Sequence, residues 1–155
     1  MKNFYKTFVM FLFGFMAYIT IEVLYRGYSY PLMGACGGIA IVLLDQINNK
    51  LSWDIDILIQ GICGSLIITC FEWVIGELFL HGVLPVMWDY SAIWLNYKGI
   101  ICLPFSLLWI GLSIIAVILA DAINYYFLGD KDVPYYKLFG KTVLTFKPKN
   151  SIHIS

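Results

Sequence analysis

Carboxylates stand in this chain where hydrocarbon is expected. Glu72 and Glu77 lie in Phe71-Glu72-Trp73-Val74-Ile75-Gly76-Glu77-Leu78-Phe79, a stretch that is otherwise apolar. A carboxylate in such a stretch costs free energy unless a donor, a cation or water meets it, so it marks either a buried hydrogen bond or a ligand point. Positions five apart on a helix are separated by roughly 140°, so the two acids do not form a shared carboxylate pair. Glu72 lies deeper and is the stronger candidate. It can hold a cation, a proton or a substrate, or it can hydrogen-bond to a neighbouring helix; Glu77, nearer the end, reads as solvated. Glu22 and Arg26 are spaced i,i+4 with the acid first, the favourable order for an ion pair on one helix face. The string Trp88-Asp89-Tyr90-Ser91 adds two aromatics and an acid at one level. Glu22, Arg26, Glu72, Glu77, Trp88, Asp89 and Tyr90 are the candidate substrate-binding residues.

Other chemistries lack their residues. No phosphate-binding glycine loop, G-x-S-x-G elbow or H-E-x-x-H zinc motif occurs. His81 and His153 are isolated. Cys36, Cys63, Cys70 and Cys102 form no C-x-x-C pair and read as small buried apolar residues. Neither a metal nor a cofactor is expected. Asp45, Asp54 and Asp56 with Lys50 read as a short wet turn. Asp121 ends an apolar run, where its charge opposes the helix dipole, and it is placed to pair with a tail lysine.

The elements that must position these residues follow from composition. The chain has 155 residues, 61% hydrophobic and 13% charged, with mean hydropathy +0.81. Ordinary soluble domains are about 45–50% apolar and about 25% charged. Disorder, a secreted disulfide scaffold and a basic nucleic-acid binder are excluded. The reading is an all-α, polytopic helical membrane protein of about four transmembrane helices. The first run, Phe8–Ile21 extended by Val23–Tyr25, follows Lys2 and Lys6 and has no small-x-small cleavage site, so it is expected to be retained as a helix. The second, Pro31–Leu44, reaches about 21 Å against a hydrocarbon core of roughly 30 Å, so it either spans with help from Asp45–Asn49 or re-enters. The third is Ile55–Leu80. The fourth, Gly99–Phe127, contains the uncharged stretch Ile100–Ala120 and has Pro104 in its first turns, where a missing N–H costs little. The connecting stretch His81–Lys98 carries Trp88, Tyr90, Trp94 and Tyr97, residues suited to the membrane interface. Residues 1–127 are thus expected as a transmembrane domain and 128–155 as a basic cytoplasmic tail with five lysines and two aspartates. Both termini inside places eight of the ten basic residues on the inner side, as the positive-inside rule requires for a bacterial cytoplasmic membrane.

Four segments carry a resemblance: Ile21-Glu22-Val23-Leu24-Tyr25-Arg26; the Glu72–Glu77 stretch; Trp88-Asp89-Tyr90-Ser91; and Gly99-Ile100-Ile101-Cys102-Leu103-Pro104-Phe105-Ser106-Leu107-Leu108-Trp109. Over residues 20–112 the chain resembles the bacterial membrane family of type IV ABC-transporter permease-like proteins, the CmpB-like group. The resemblance implies a multi-pass membrane protein and suggests transport, without naming a substrate or assigning residue roles. The first functional expectation is a permease-like protein handling a small polar solute or ion through a polar site near the outer leaflet. It would work as a homo-oligomer or with other membrane subunits. The Gly34/Gly38 and Gly61/Ser65 faces would be the contact surfaces, and a separate ATPase subunit would supply any ATP coupling. Membrane lipid is the other expected partner; nucleic acid is not one. Two alternatives stand beside it. One is a small intramembrane enzyme acting on a lipid or isoprenoid, with Glu72 or Asp89 as acid–base. The other is a non-catalytic membrane scaffold or regulator.

Overall fold

The computed structural model describes residues 2–48 and 52–149; Lys50 and His153 lie outside the described residues. Four helices form an antiparallel bundle: α1 (Lys2–Arg26), α2 (Pro31–Asn48), α3 (Ile57–Leu80) and α4 (Leu103–Tyr126). Among the described residues α1, α3 and α4 are long and apolar enough to cross a membrane, and α2 is a shorter apolar helix. The protein is a helical membrane protein, as its composition requires. The α2 segment is one unbroken helix of 18 residues, about 27 Å long. It packs along the length of α1, so the re-entrant alternative with interrupted backbone is not what this sequence forms.

The buried stripe of each central helix is its small and polar face. On α3 it holds Gln60, Gly61, Gly64, Ser65, Glu72, Ile75 and Gly76; on α4 it holds Trp109, Ser113, Val117, Ala120, Asp121 and Asn124. Leu66, Val74, Leu107 and Ile115 point outward. This is the arrangement that lipid favours: apolar side chains gain little by leaving hydrocarbon, whereas small residues allow backbones to approach and polar ones find partners. Gly64 makes this contact unavoidable, because a Cβ there would overlap the Ser113 side chain. Gly37 does the same in the other hairpin, where an added Cβ would sit 2.5 Å from Tyr18 Cβ and 2.9 Å from the Gly14 carbonyl oxygen.

These contacts correct one expectation. The Gly34/Gly38 and Gly61/Ser65 faces are occupied within the chain rather than left for a second subunit. Gly34 and Gly38 meet Ile19 and Phe11 of α1, and Gly61 meets Ile114 of α4. Ser65 Oγ donates to the Ser106 carbonyl at 2.6 Å.

Two small hairpins complete the fold. β1 (Asn96–Tyr97) pairs with β2 (Ile101–Cys102), and β3 (Tyr135–Leu138) pairs with β4 (Lys141–Thr145), both antiparallel. Gly99–Cys102 therefore belongs to a turn and strand, not to the start of the fourth helix; α4 begins at Leu103 with Pro104 in its first turn. The second hairpin turns at Phe139 and Gly140, with φ of +50° and +77°, the left-handed pair that suits a two-residue hairpin turn. It closes one end of the bundle, the tail end, where Tyr136 is fully buried and packs with Leu44, Ile57 and Val117. The tail brings the Tyr136 hydroxyl to Asp121, donating to its Oδ2 at 2.6 Å. Of the acids expected in the wet turn, Asp45 Oδ1 accepts from Asn124 Nδ2 at 2.5 Å. Asp54 pairs with Lys137 at 2.6 Å, and Asp56 caps α3 through the Leu58 N–H at 2.9 Å.

Candidate functional site at the cap end

The opposite end of the bundle is closed by the segment from His81 to Cys102. Its framework explains several candidate residues. Asp89 Oδ1 accepts the Ser91 N–H at 2.8 Å, and that bond holds its carboxyl below the usual carboxylate range. A Cβ on Gly99 (φ +72°) would lie 2.8 Å from the same oxygen, so the Asp89 turn and the glycine fit each other. Trp88 Nε1 donates to the Ile100 carbonyl at 2.8 Å, and its ring packs edge-on against Phe79, centroids 4.9 Å apart. Glu77 pairs with Lys98 at 2.8 Å, and this bond to Glu77 raises the Lys98 ammonium above its ordinary value. Glu77 is therefore ion-paired rather than simply solvated.

Glu22 and Arg26 form the expected pair, 2.8 Å apart. Glu22 also accepts from Ser29 Oγ at 2.5 Å. Arg26 does more than balance Glu22. It donates to the carbonyls of Tyr28 and Met87, and its guanidinium lies over the Tyr28 ring, 4.7 Å from the centroid. This one side chain ties the α1–α2 corner to the cap segment.

One cap residue reaches inward. The Tyr90 ring stacks on Phe105 of α4, centroids 4.7 Å apart and planes 16° from parallel. Its hydroxyl donates to Glu72 Oε1 at 2.9 Å. Trp109 Nε1 donates to the same oxygen at 3.1 Å. Burial first, and then the neighbouring Glu72 charge, push the Tyr90 phenol well above its ordinary value, so it stays protonated and keeps donating. Glu72 is 3% exposed, about 12 Å down α3 from its cap end. Its second oxygen, Oε2, is buried without a hydrogen-bond partner.

Beside Glu72 lies a cavity of about 150 Å³ between the two helical hairpins. Its wall is apolar apart from Glu72, Tyr18, Trp109 and Ser113. Tyr18 stacks on Trp109, centroids 6.0 Å apart. Ser113 Oγ, like Glu72 Oε2, is buried without a partner. Of the seven candidate residues, Glu72 lines the cavity and Tyr90 is tied to it through Glu72 Oε1. Glu22 with Arg26, Glu77, Trp88 and Asp89 hold the cap in place and do not line it. Three lining residues with polar atoms were not among the candidates: Tyr18, Trp109 and Ser113. A signal that could have found the last two is their i,i+4 spacing within the uncharged stretch Ile100–Ala120, which puts an indole N–H and a hydroxyl on one face.

Comparison with known sequences agrees with this architecture. The family described as "Putative ABC-transporter type IV" matches residues 2–143. The chain belongs to this family. The match runs from the start of α1 into β4, so it includes the tail hairpin as well as the bundle and cap. No curated protein matches, and no solved structure matches. Membership and the apolar helices together support a transporter-like role in a membrane.

Proposed function

We propose that this protein is the membrane subunit of a transporter, handling a small polar solute or ion through a polar site near the outer leaflet, with Glu72 as the contact point. The observation that carries this is the divided carboxylate. One oxygen of Glu72 is fixed by Tyr90 and Trp109, and the other is buried, unpartnered and beside a cavity. A purely structural acid would be expected to satisfy both oxygens, since a buried unpaired acceptor costs about 1–3 kcal/mol. A solute that donates a hydrogen bond, or a cation, would recover that cost. Arg26 and Trp88 contribute by holding the cap that shields the site from water. Residues 1–127 form the transmembrane part on this reading, with both termini on the cytoplasmic side. The absence of a phosphate loop in the sequence assigns any ATP hydrolysis to a separate subunit. The enzyme alternative is weaker, because Asp89 is engaged in its own turn and the two groups bonded to Glu72 are an indole and a phenol held protonated.

The test is a comparison of the small molecules held by cells that express the wild-type chain, Glu72→Gln, or neither. The proposal expects at least one polar solute whose cellular content shifts with the wild-type chain and returns to the control level with Glu72→Gln at equal membrane abundance. Identical solute profiles for the two variants would overturn it.

A further inference from the structure

The cavity beside Glu72 is open on one side. Three of its lining residues, Ile21 of α1 and Ile115 and Leu119 of α4, are also exposed on the outside of the bundle. α1 and α4 touch near their two ends. Towards the cap, Tyr18 stacks on Trp109, and Tyr25 meets Phe105 edge-on with centroids 6.4 Å apart. Towards the tail, Met10 packs with Ala120, and Lys6 bonds to Asp130 beyond α4. Between these contacts Ala17 on one side and Ala116 on the other line the cavity, beside the larger Phe13 and Leu112. The result is a side window at a depth where the surrounding solvent is hydrocarbon.

Two residues of the cavity wall carry a buried polar atom without a partner, Glu72 at Oε2 and Ser113 at Oγ. Their side chains are 3% and 1% exposed. Ser113 is one helical turn, about 6 Å, below the Trp109 that holds Glu72. An apolar cavity of about 150 Å³ stays dry and accepts a group about the size of benzene. A fully polar solute would leave its own donors and acceptors unpaired against these walls, and a pure hydrocarbon would leave Glu72 Oε2 unpaired.

We infer that the window between α1 and α4 admits a small amphiphile from the lipid phase, with an apolar body in the cavity and a hydroxyl or amine head donating to Glu72 Oε2. The inference rests on Glu72 as the contact point and narrows the polar solute to one that carries an apolar part. Access is then sideways from the bilayer rather than through the cap, which Arg26, Trp88 and Tyr90 keep closed.

The experiment uses the full chain in phosphatidylcholine nanodiscs, photolabelled with a benzyl alcohol that bears a ring diazirine. Labelled peptides are located by mass spectrometry. Label is expected on residues 14–21 and 112–119, displaced by benzyl alcohol and not by toluene at equal membrane concentration. It should fall about tenfold, the equivalent of about 1.4 kcal/mol, in Ala116→Phe, and again in Ala17→Phe, which fills the window from the other helix. In Glu72→Gln the preference for benzyl alcohol over toluene should disappear. Label elsewhere, label that survives both filling variants, or loss with only one of them overturns the window. Equal displacement by toluene in the wild type overturns the amphiphile. Either failure, with the Glu72-dependent solute difference in cells still present, would remove the side entry and leave Glu72 standing as the contact point.

Discussion

Both ends of this bundle use the same device, and at one of them the acid keeps an unpartnered oxygen beside a cavity. At the cap end, a buried acid on α3, Glu72, accepts a hydroxyl from Tyr90 in a non-helical segment at 2.9 Å. At the tail end, a buried acid on α4, Asp121, accepts a hydroxyl from Tyr136 in the tail hairpin at 2.6 Å. Each tyrosine plugs the bundle and anchors its segment. The surroundings differ. Asp121 lies in the buried stripe of α4 with Val117 and Ala120, and the Tyr136 that donates to it packs with Val117. Glu72 has a second donor in Trp109, a second oxygen with no partner, and an open cavity next to that oxygen. A carboxylate within a membrane bundle is therefore not in itself a site. The residual acceptor and the space beside it make the difference.

The comparison can be broken most severely at the tail end. Tyr136→Phe removes the hydroxyl that donates to the buried Asp121, and a hydrogen bond to a charged group contributes about 1.5–3 kcal/mol. A loss of that size, read by denaturant titration in micelles, is expected, with detachment of the hairpin seen as faster backbone hydrogen exchange over residues 135–145. Tyr90→Phe is the matching change at the cap. Trp109 still holds Glu72 Oε1, and hydrogen bonds between membrane segments average about 0.6 kcal/mol with a ceiling near 2. The same titration should show a smaller loss than Tyr136→Phe. If Tyr90→Phe proves the more damaging, the cap is structural in the way the tail is.

How far the sequence foretold this difference varies with the residue. Glu72 was legible because a charge in an apolar run has few explanations, and Glu22–Arg26 because their spacing alone puts them on one helix face. The helices were legible from hydropathy, Pro104 included. Trp109 and Tyr18 were not, since an aromatic in a membrane helix looks the same whether it faces lipid, a neighbour or a cavity. The tail hairpin was missed behind its lysines, although Thr142, Val143 and Thr145 suit a strand and Phe139-Gly140 can turn it. The burial of Gly34 and Gly38 within the chain was also hidden, because a small-residue face does not declare which helix will cover it.

Two smaller effects sharpen the contrast. Ser113→Ala removes an unpartnered buried hydroxyl, so stability should hold or rise by up to about 1 kcal/mol, and diazirine labelling of residues 112–119 should persist. A clear destabilisation would reveal a structural role for this hydroxyl. At the tail, the bond from Lys137, and then that from Tyr135, hold the Asp54 carboxyl below its ordinary value. Its stabilising contribution is then fully present above the ordinary aspartate range, where the unfolded state is also ionised, and is lost as pH falls through the lowered folded value. Hydrogen exchange across the tail hairpin should therefore quicken, slightly, only in acid below that range. Asp54→Asn should remove this acid dependence, a small effect because the pair is exposed.

The most direct measurement of the difference between the two acids is native mass spectrometry of three proteins released from nanodiscs: wild type, Glu72→Gln and Asp121→Asn. A small-molecule adduct is expected on the wild type and on Asp121→Asn, and not on Glu72→Gln. Retention by Glu72→Gln with loss from Asp121→Asn, or the same adduct on all three, would contradict the assignment of Glu72 as the ligand point.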